Sequence, residues 1–207
     1  MRKPASPSTL SVGVAVPSQL DEAGEYLADA RALEAAGADS IWADRRAGVP
    51  GHDPWMLLAG IAAVTSQVRI ALPLVPADWG DRELLAQRLA TLDRLSRGRM
   101  MISIAGAADE VPEVISLARG IGQFPLLLET GDGDFLESSL DEEPPCPHEL
   151  WARVALPAGR DAWRAALRTS AEAGATGVLV PFGPRLLDLL RRPDEEDDRS
   201  DLLVAQG

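Results

Sequence analysis

Leu33–Ala43 reads LEAAGADSIWA, and far along the chain Ser170–Val180 reads SAEAGATGVLV. Both stretches run from helix-forming residues through an Ala-Gly-Ala turn into a short apolar, β-prone segment. In each, a glycine (Gly37, Gly174) stands where a helix needs a left-handed C-terminal stop. Two such αβ corners imply a repeated unit of strand, helix and parallel strand, and they decide the fold class.

Reading outward from the first corner, Leu10–Val16 (LSVGVAV) is a buried strand ended by Pro17-Ser18. Ser18 and Asp21 have capping-box spacing, and Leu20, Ala23, Leu27, Ala30 and Leu33 form the apolar stripe of the helix that ends at Gly37. Ser40–Asp44 (SIWAD) is the second strand. Asp53-Pro54 sets an N-cap before a proline at the first helical position, so a second helix runs to about Thr65 and leads into strand Val68–Val75. Asp81 opens a third helix with Leu85, Leu89, Leu92 and Leu95 on one face. Gly98 closes it before strand Arg99–Ala105. Further on, Glu110–Arg119 reads as a helix and Phe124–Glu129 and Leu150–Leu156 as strands. Asp161–Ala173 is again a helix, and Val178–Val180 a strand.

The reading is α/β: a shortened TIM-barrel-like (β/α) fold with a mainly parallel sheet, formed by a single domain over residues 1–192. Asp141–His148 (DEEPPCPH) reads as a linker-like segment within it. An acidic tail follows at 193–207, holding six acids and one arginine. Seven strands are legible, one short of a closed eight-stranded ring, and 207 residues is near the lower limit of about 200 for that fold. An unclosed ring leaves an edge to be covered, so a homodimer or a heteromeric partner is expected.

Twenty basic residues against thirty-two acidic ones give a net charge of −12. That balance argues against nucleic acid and anionic membrane surfaces, which recruit clustered Lys and Arg. The longest uncharged apolar run, Pro54–Val64, is too short to span a bilayer. One cysteine, Cys146, excludes an intramolecular disulfide framework and a multi-cysteine metal site, and a cytoplasmic home is expected. No phosphate-binding Walker loop, helical His pair or Gly-x-Ser-x-Gly elbow is present. Cys146-Pro147-His148 lacks further ligands, so no metal is expected.

Four features in order carry a family resemblance. They are Ala-Gly-Ala-Asp-Ser-Ile-Trp ending at Trp42; Asp53-Pro54 before an Ala-rich helix; Thr65 followed by Val68-Arg69-Ile70; and Ala90-Thr91-Leu92-Asp93-Arg94-Leu95-Ser96-Arg97-Gly98-Arg99. Over residues 10–106 the chain resembles the bacterial luciferase-like monooxygenase superfamily, as a shortened and divergent member. The resemblance implies an (α/β)8 barrel and an oxidoreductase or monooxygenase dependent on FMN or the deazaflavin F420, acting on a small molecule. The alternative it leaves is a non-catalytic flavin-binding or partner-subunit protein of the same descent, with no cofactor chemistry of its own.

In a parallel barrel, chemistry gathers at the C-terminal ends of strands and stability at the other end. By that rule Asp93–Arg99 is structural, with Arg99 expected to pair with Asp93. Asp44 and Arg45 end the second strand where the deazaflavin branch commonly has an Asp-His pair. Here Asp44 is kept and Arg45 replaces the histidine, as a candidate phosphate or anion ligand. His52, a few residues on, carries an imidazole, the side-chain type suited to acid–base work near neutrality, and is the second candidate catalytic residue. The family has a cis-peptide bulge behind the flavin at the end of strand three, which maps to Leu72-Pro73. Trp42 and Trp79 are candidate ring walls, with packing the commoner role for tryptophans near strand ends. Gly106 is the glycine left of the family's Gly-rich fourth strand end. Pro181-Phe182-Gly183-Pro184-Arg185 opens a helix after the last strand, making Gly183 and Arg185 candidates for a cofactor phosphate.

Overall fold

The computed structural model describes residues 10–19, 22–44, 51–75, 78, 80–104, 111–122, 125–129, 135–138 and 149–191. Eight strands and six helices follow one another as β1 (Ser11–Pro17), α1 (Ala23–Ala35), β2 (Ser40–Asp44), α2 (Pro54–Val64), β3 (Arg69–Leu74), α3 (Arg82–Ser96), β4 (Met100–Ile104), α4 (Val111–Ile121), β5 (Leu126–Glu129), β6 (Phe135–Ser138), β7 (Leu150–Arg153), α5 (Arg160–Glu172), β8 (Gly177–Pro181) and α6 (Leu186–Arg191). The strands form a closed barrel in chain order, with β8 returning to pair with β1.

The expected edge therefore does not exist. The strand absent from the sequence reading is β6, whose Leu136 and Glu137 pair antiparallel with β5 on one side and β7 on the other. The chain length accounts for the direction. Residues 130–134 and 139–149 are the only chain on either side of β6, and a parallel crossover needs about a dozen residues or more. All the other strand pairings are parallel. The ring thus keeps eight strands, while among the described residues no helix stands between β5 and β6 or between β6 and β7, and the sheet stays mainly parallel.

Both αβ corners fold as their sequences dictate. Gly37 and Gly174 take φ of 93° and 86°, in the left-handed region that a Cβ disfavours. Ala38 donates its N–H to Leu33 O, and Ala175 donates to Ser170 O, both at 3.0 Å, so the two corners share one hydrogen-bond pattern. Asp53 caps α2 through Trp55 N at 2.8 Å, and Asp81 caps α3 through Leu84 N at 2.9 Å. The expected Ser18 cap is not used: α1 begins at Ala23 after Glu22, which makes no side-chain cap bond.

Among the described side chains, period-two alternation sorts the strands into two cores. Val12, Val14, Val16, Ile41, Ile70, Leu72, Leu74, Ile102, Ile104, Val178 and Val180 face outward onto the helices. Trp42, Ala71, Met101, Leu127, Trp151 and Leu179, with Ala15 beside them, fill the bore. Trp42 and Trp151 meet there with ring centroids 5.7 Å apart. Room for them comes from small neighbours. A Cβ on Gly13 would lie 2.6 Å from Trp42 Nε1, and one on Gly177 would lie 2.7 Å from Trp151 Cε3.

At the N-terminal end of the strands, Arg69 Nη1 donates to both carboxylate oxygens of Glu149, at 2.8 and 3.1 Å. Trp151 Nε1 donates to the same carboxylate at 2.7 Å, and the Arg69 guanidinium lies 5.3 Å from the Trp151 ring. This seals the barrel base. Outside it, Arg99 does not pair with Asp93. Its Nε donates to Ser96 O, its Nη1 to Val68 O and Thr65 Oγ1, and its Nη2 to Ala62 O and Thr65 O. A guanidinium with five donors satisfies carbonyls at a helix end, where an Asp93 pair would leave them bare. Glu34 holds the same corner by accepting from Ser66, Gln67 and Val68 N at 2.8, 2.6 and 3.0 Å. Burial alone would raise its pKa, but these three donors and the Arg99 charge hold it below the usual carboxylate value.

Candidate functional site at the barrel mouth

Two residues beyond each bore-filling side chain, the strands reach the C-terminal mouth, and the residues there are of two kinds. Trp42, Met101, Leu127 and Trp151 are followed by Asp44, Ser103, Glu129 and Arg153. Ala15, Ala71 and Leu179 are followed by Pro17, Pro73 and Pro181. Alternation turns all of these toward the barrel axis. The mouth therefore carries polar groups on β2, β4, β5 and β7 above an apolar floor of tryptophan, methionine and leucine. Ser103 is buried, Asp44 half-buried, and Glu129 and Arg153 are exposed.

Pro73 has a defined effect on this rim. Ile70 N donates across to Arg99 O, so by alternation the nitrogen of Pro73 is turned toward β2. Proline has no N–H to give there. The β2–β3 ladder accordingly stops at Trp42 and Ala71, while β3 stays paired with β4 through Leu74 and Ile104. Asp44 and Pro73 stand on either side of the opened ladder. On the β4 side, residues 70–74 pair one to one with 100–104. Leu72 belongs to the outer core under the helices and does not line the mouth.

The remaining expected residues fall elsewhere. His52 is exposed, and its main chain is tied to the end of β1 through a 2.8 Å bond from its N–H to Ser18 O. Gly183 is buried against Leu156, whose Cδ2 would lie 2.5 Å from a Cβ at that position. Arg185 Nη1 donates to Ala158 O at 3.0 Å, which binds the β7–α5 connection to the turn before α6. With α6 only six residues long, this turn is a packing corner. Trp42 is packed in the bore as part of the floor. Arg45, Trp79, Gly106, Cys146, His148, the 141–148 segment and the acidic tail lie outside the described residues.

Glu129 and Arg153 come together at the mouth although their strands are not neighbours. Arg153 Nη2 donates to Glu129 Oε1 at 3.1 Å, spanning the position of β6 between them. A contact across an intervening strand requires both side chains to lean over the inner side of the ring.

Beside the mouth, a cavity of about 120 Å³ lies between the end of β1 and α1, lined by Val16, Pro17, Tyr26, Ile61 and Phe182 with Glu22, Glu25 and Asp29 at its edge. The Tyr26 hydroxyl is buried without a hydrogen-bond partner, and burial pushes its ionisation above the ordinary phenol range. Among the described residues no cluster of His, Cys, Asp and Glu could hold a metal ion, and no helix is long and apolar enough to cross a membrane.

A β/α barrel with its polar groups gathered at the C-terminal mouth matches the family model described as luciferase-like monooxygenase over residues 6–115, more than half of the chain. The chain belongs to the luciferase-like monooxygenase family. Uncharacterized proteins of Mycobacterium tuberculosis and Mycobacterium bovis are 40% identical over 52 residues, which is 25% of this chain and 18% of theirs. Among solved structures, the monooxygenase RslO1 from Streptomyces bottropensis aligns with 23% identity and a TM-score of 0.44, over 88% of this chain and 65% of that one. DmoA from Hyphomicrobium sulfonivorans aligns with 20% identity and a TM-score of 0.42, over 55% of this chain and 35% of that one. The chain spans less than a fifth of the length of the curated proteins it matches and about a third to two thirds of these structures.

Proposed function

We propose that the barrel mouth binds a flavin or deazaflavin and that the protein is an oxidoreductase of the luciferase-like type acting on a small organic molecule. One observation carries this reading. The inward polar residues Asp44, Ser103, Glu129 and Arg153 all stand at the C-terminal mouth, where barrel enzymes keep their chemistry, while the opposite end is closed by Arg69, Glu149 and Trp151. Among the solved structures the chain is similar to are an oxygenating constituent in complex with FMN and an F420-dependent secondary alcohol dehydrogenase.

The donor set fits such a group. An isoalloxazine or deazaflavin ring is flat, apolar on its faces and polar at its edge. The Trp42, Met101 and Leu127 floor suits the face, and Ser103 and Arg153 offer donors to edge atoms and to a phosphate. When bound, the ring supplies the hydride or oxygen chemistry. The chain's part is to seat it, to exclude water from the floor side through Trp42 and Trp151, and to place the Asp44 carboxylate as a proton acceptor beside the opened β2–β3 ladder. His52 remains a candidate proton carrier, and Arg45 and Gly106 remain candidate cofactor-binding residues, Arg45 as an anion ligand.

The test is direct binding. Purified protein titrated with FMN and with F420 should shift the absorbance of one of them and quench tryptophan fluorescence, since Trp42 and Trp151 lie under the mouth. No binding of either at high micromolar concentration overturns the proposal. With binding established, Asp44→Asn should lower turnover about 10²-fold or more if the carboxylate moves a proton in the reaction. An unchanged rate removes Asp44 from that role.

A further inference from the structure

Among the described residues, two arginines point into the barrel bore, Arg69 and Arg153, and each contacts a glutamate. Their settings differ in ways that bear on ligand binding. Arg69 reaches both oxygens of Glu149 and lies over Trp151, so its guanidinium is occupied on its edge and on one face. Arg153 spends one nitrogen on one carboxylate oxygen at 3.1 Å, with the two side chains 43% and 30% exposed. A guanidinium has five N–H donors in a planar fork, and a single long contact leaves a face of that fork open to another oxyanion.

We infer that Arg153 is the oxyanion-binding residue of the mouth and that Glu129 holds its guanidinium there until the ligand arrives. The inference rests on the mouth being the ligand site, and it assigns the anionic end of the ligand, a phosphate monoester or a carboxylate, to the β5–β7 side. Glu129 reaches Arg153 over β6, so the guanidinium is kept above the bore and away from solvent outside the ring. A phosphate or carboxylate that offers two oxygens in one plane outcompetes a one-oxygen, partly solvated contact. Arg185, one of the two arginines the sequence offers for this role, donates to the Ala158 carbonyl in the turn before α6.

The experiment compares FMN with riboflavin, which lacks the phosphate, on the wild type, Arg153→Gln, Arg153→Lys and Glu129→Gln. It adds thermal protection by inorganic phosphate and by benzoate. If the anion is the cofactor phosphate, the wild type prefers FMN to riboflavin, Arg153→Gln loses about 10- to 100-fold in FMN affinity with riboflavin unchanged, and Arg153→Lys recovers part of the loss. Glu129→Gln tightens FMN by up to about fivefold, the worth of an exposed ion pair released. If the anion is a substrate carboxylate, FMN and riboflavin bind alike, and benzoate protects the wild type but not Arg153→Gln. Arg153→Gln behaving as the wild type toward all four probes overturns the inference while leaving the flavin reading intact. Wild type that binds neither flavin here nor F420 in the direct titration, yet is protected by phosphate or benzoate in an Arg153-dependent way, overturns the flavin and deazaflavin reading and keeps the anchor.

Discussion

The two ends of the barrel use the same side-chain chemistry, an arginine and a glutamate, for opposite purposes. At the base, Arg69 and Glu149 make a two-oxygen contact, share the carboxylate with Trp151 and cover its ring. At the mouth, Glu129 and Arg153 touch through one oxygen and leave the rest to solvent. A charge pair that is locked by an aromatic neighbour becomes part of the core. The same pair without that neighbour stays exchangeable, and exchange is what a binding site needs.

That contrast is breakable at the base first. Trp151→Ala removes the side chain that fills the bore, supports Arg69 and binds Glu149, so a loss of about 3–5 kcal/mol is expected, read as a lower urea midpoint at unchanged m-value. Gly177→Ala attacks the same ring by overpacking, because its Cβ would press on Trp151 at 2.7 Å. A loss of about 1–3 kcal/mol is expected, and a neutral result would mean that the ring can slide.

Glu34 sharpens the comparison through pH. Its carboxyl titrates below the ordinary value near 4.5 when folded. Its contribution is therefore present above that value and fades as pH falls through the lower, folded one. Glu34→Gln should lower stability at pH 7 by about 1–2 kcal/mol, the worth of hydrogen bonds to a charged acceptor, and the gap to wild type should narrow under acid. A gap that is constant with pH would show that the charge is not what holds Ser66, Gln67 and Val68.

The smallest effect belongs to the mouth. Glu129→Gln and Arg153→Gln should each shift stability by less than about 1 kcal/mol, since exposed pairs are worth little. A large loss there would mean that the mouth pair is a second seal, and the distinction between the ends would fall.

How much of this the sequence carries depends on how far each residue reaches. The αβ corners and the capped helices are local: Gly37, Gly174, Asp53 and Asp81 act within a few residues of themselves, and their roles are readable from spacing. Asp44 is readable too, as the last residue of a strand before a loop. β6 is not, because four residues, FLES, in an acidic stretch are too short to show alternation. With β6 hidden, Glu129 and Arg153 could not be brought together. A signal for them was nonetheless present: in four strands a large apolar residue is followed two places on by a polar one, the signature of a bore side chain beneath a mouth side chain. Leu72 and Arg185 were drawn toward the site by resemblance and by helix-end reasoning. The outer core takes the first, and the Ala158 carbonyl takes the second.

The hairpin stave also changes the order in which the ring can be assembled. β5, β6 and β7 are joined by short connections and pair with their sequence neighbours, whereas β1 meets β8 only by bringing Ser11 beside Gly177. Local pairings cost little chain entropy and the seam between first and last strands costs the most, so the seam should be the late event. In pulse-labelled hydrogen exchange during refolding, the amides linking β1 to β8 should gain protection after those of β6, and the reverse order would place closure at the seam first. A barrel built in this way keeps its slowest step at the join between its two ends and makes its hairpin stave the quickest part to form.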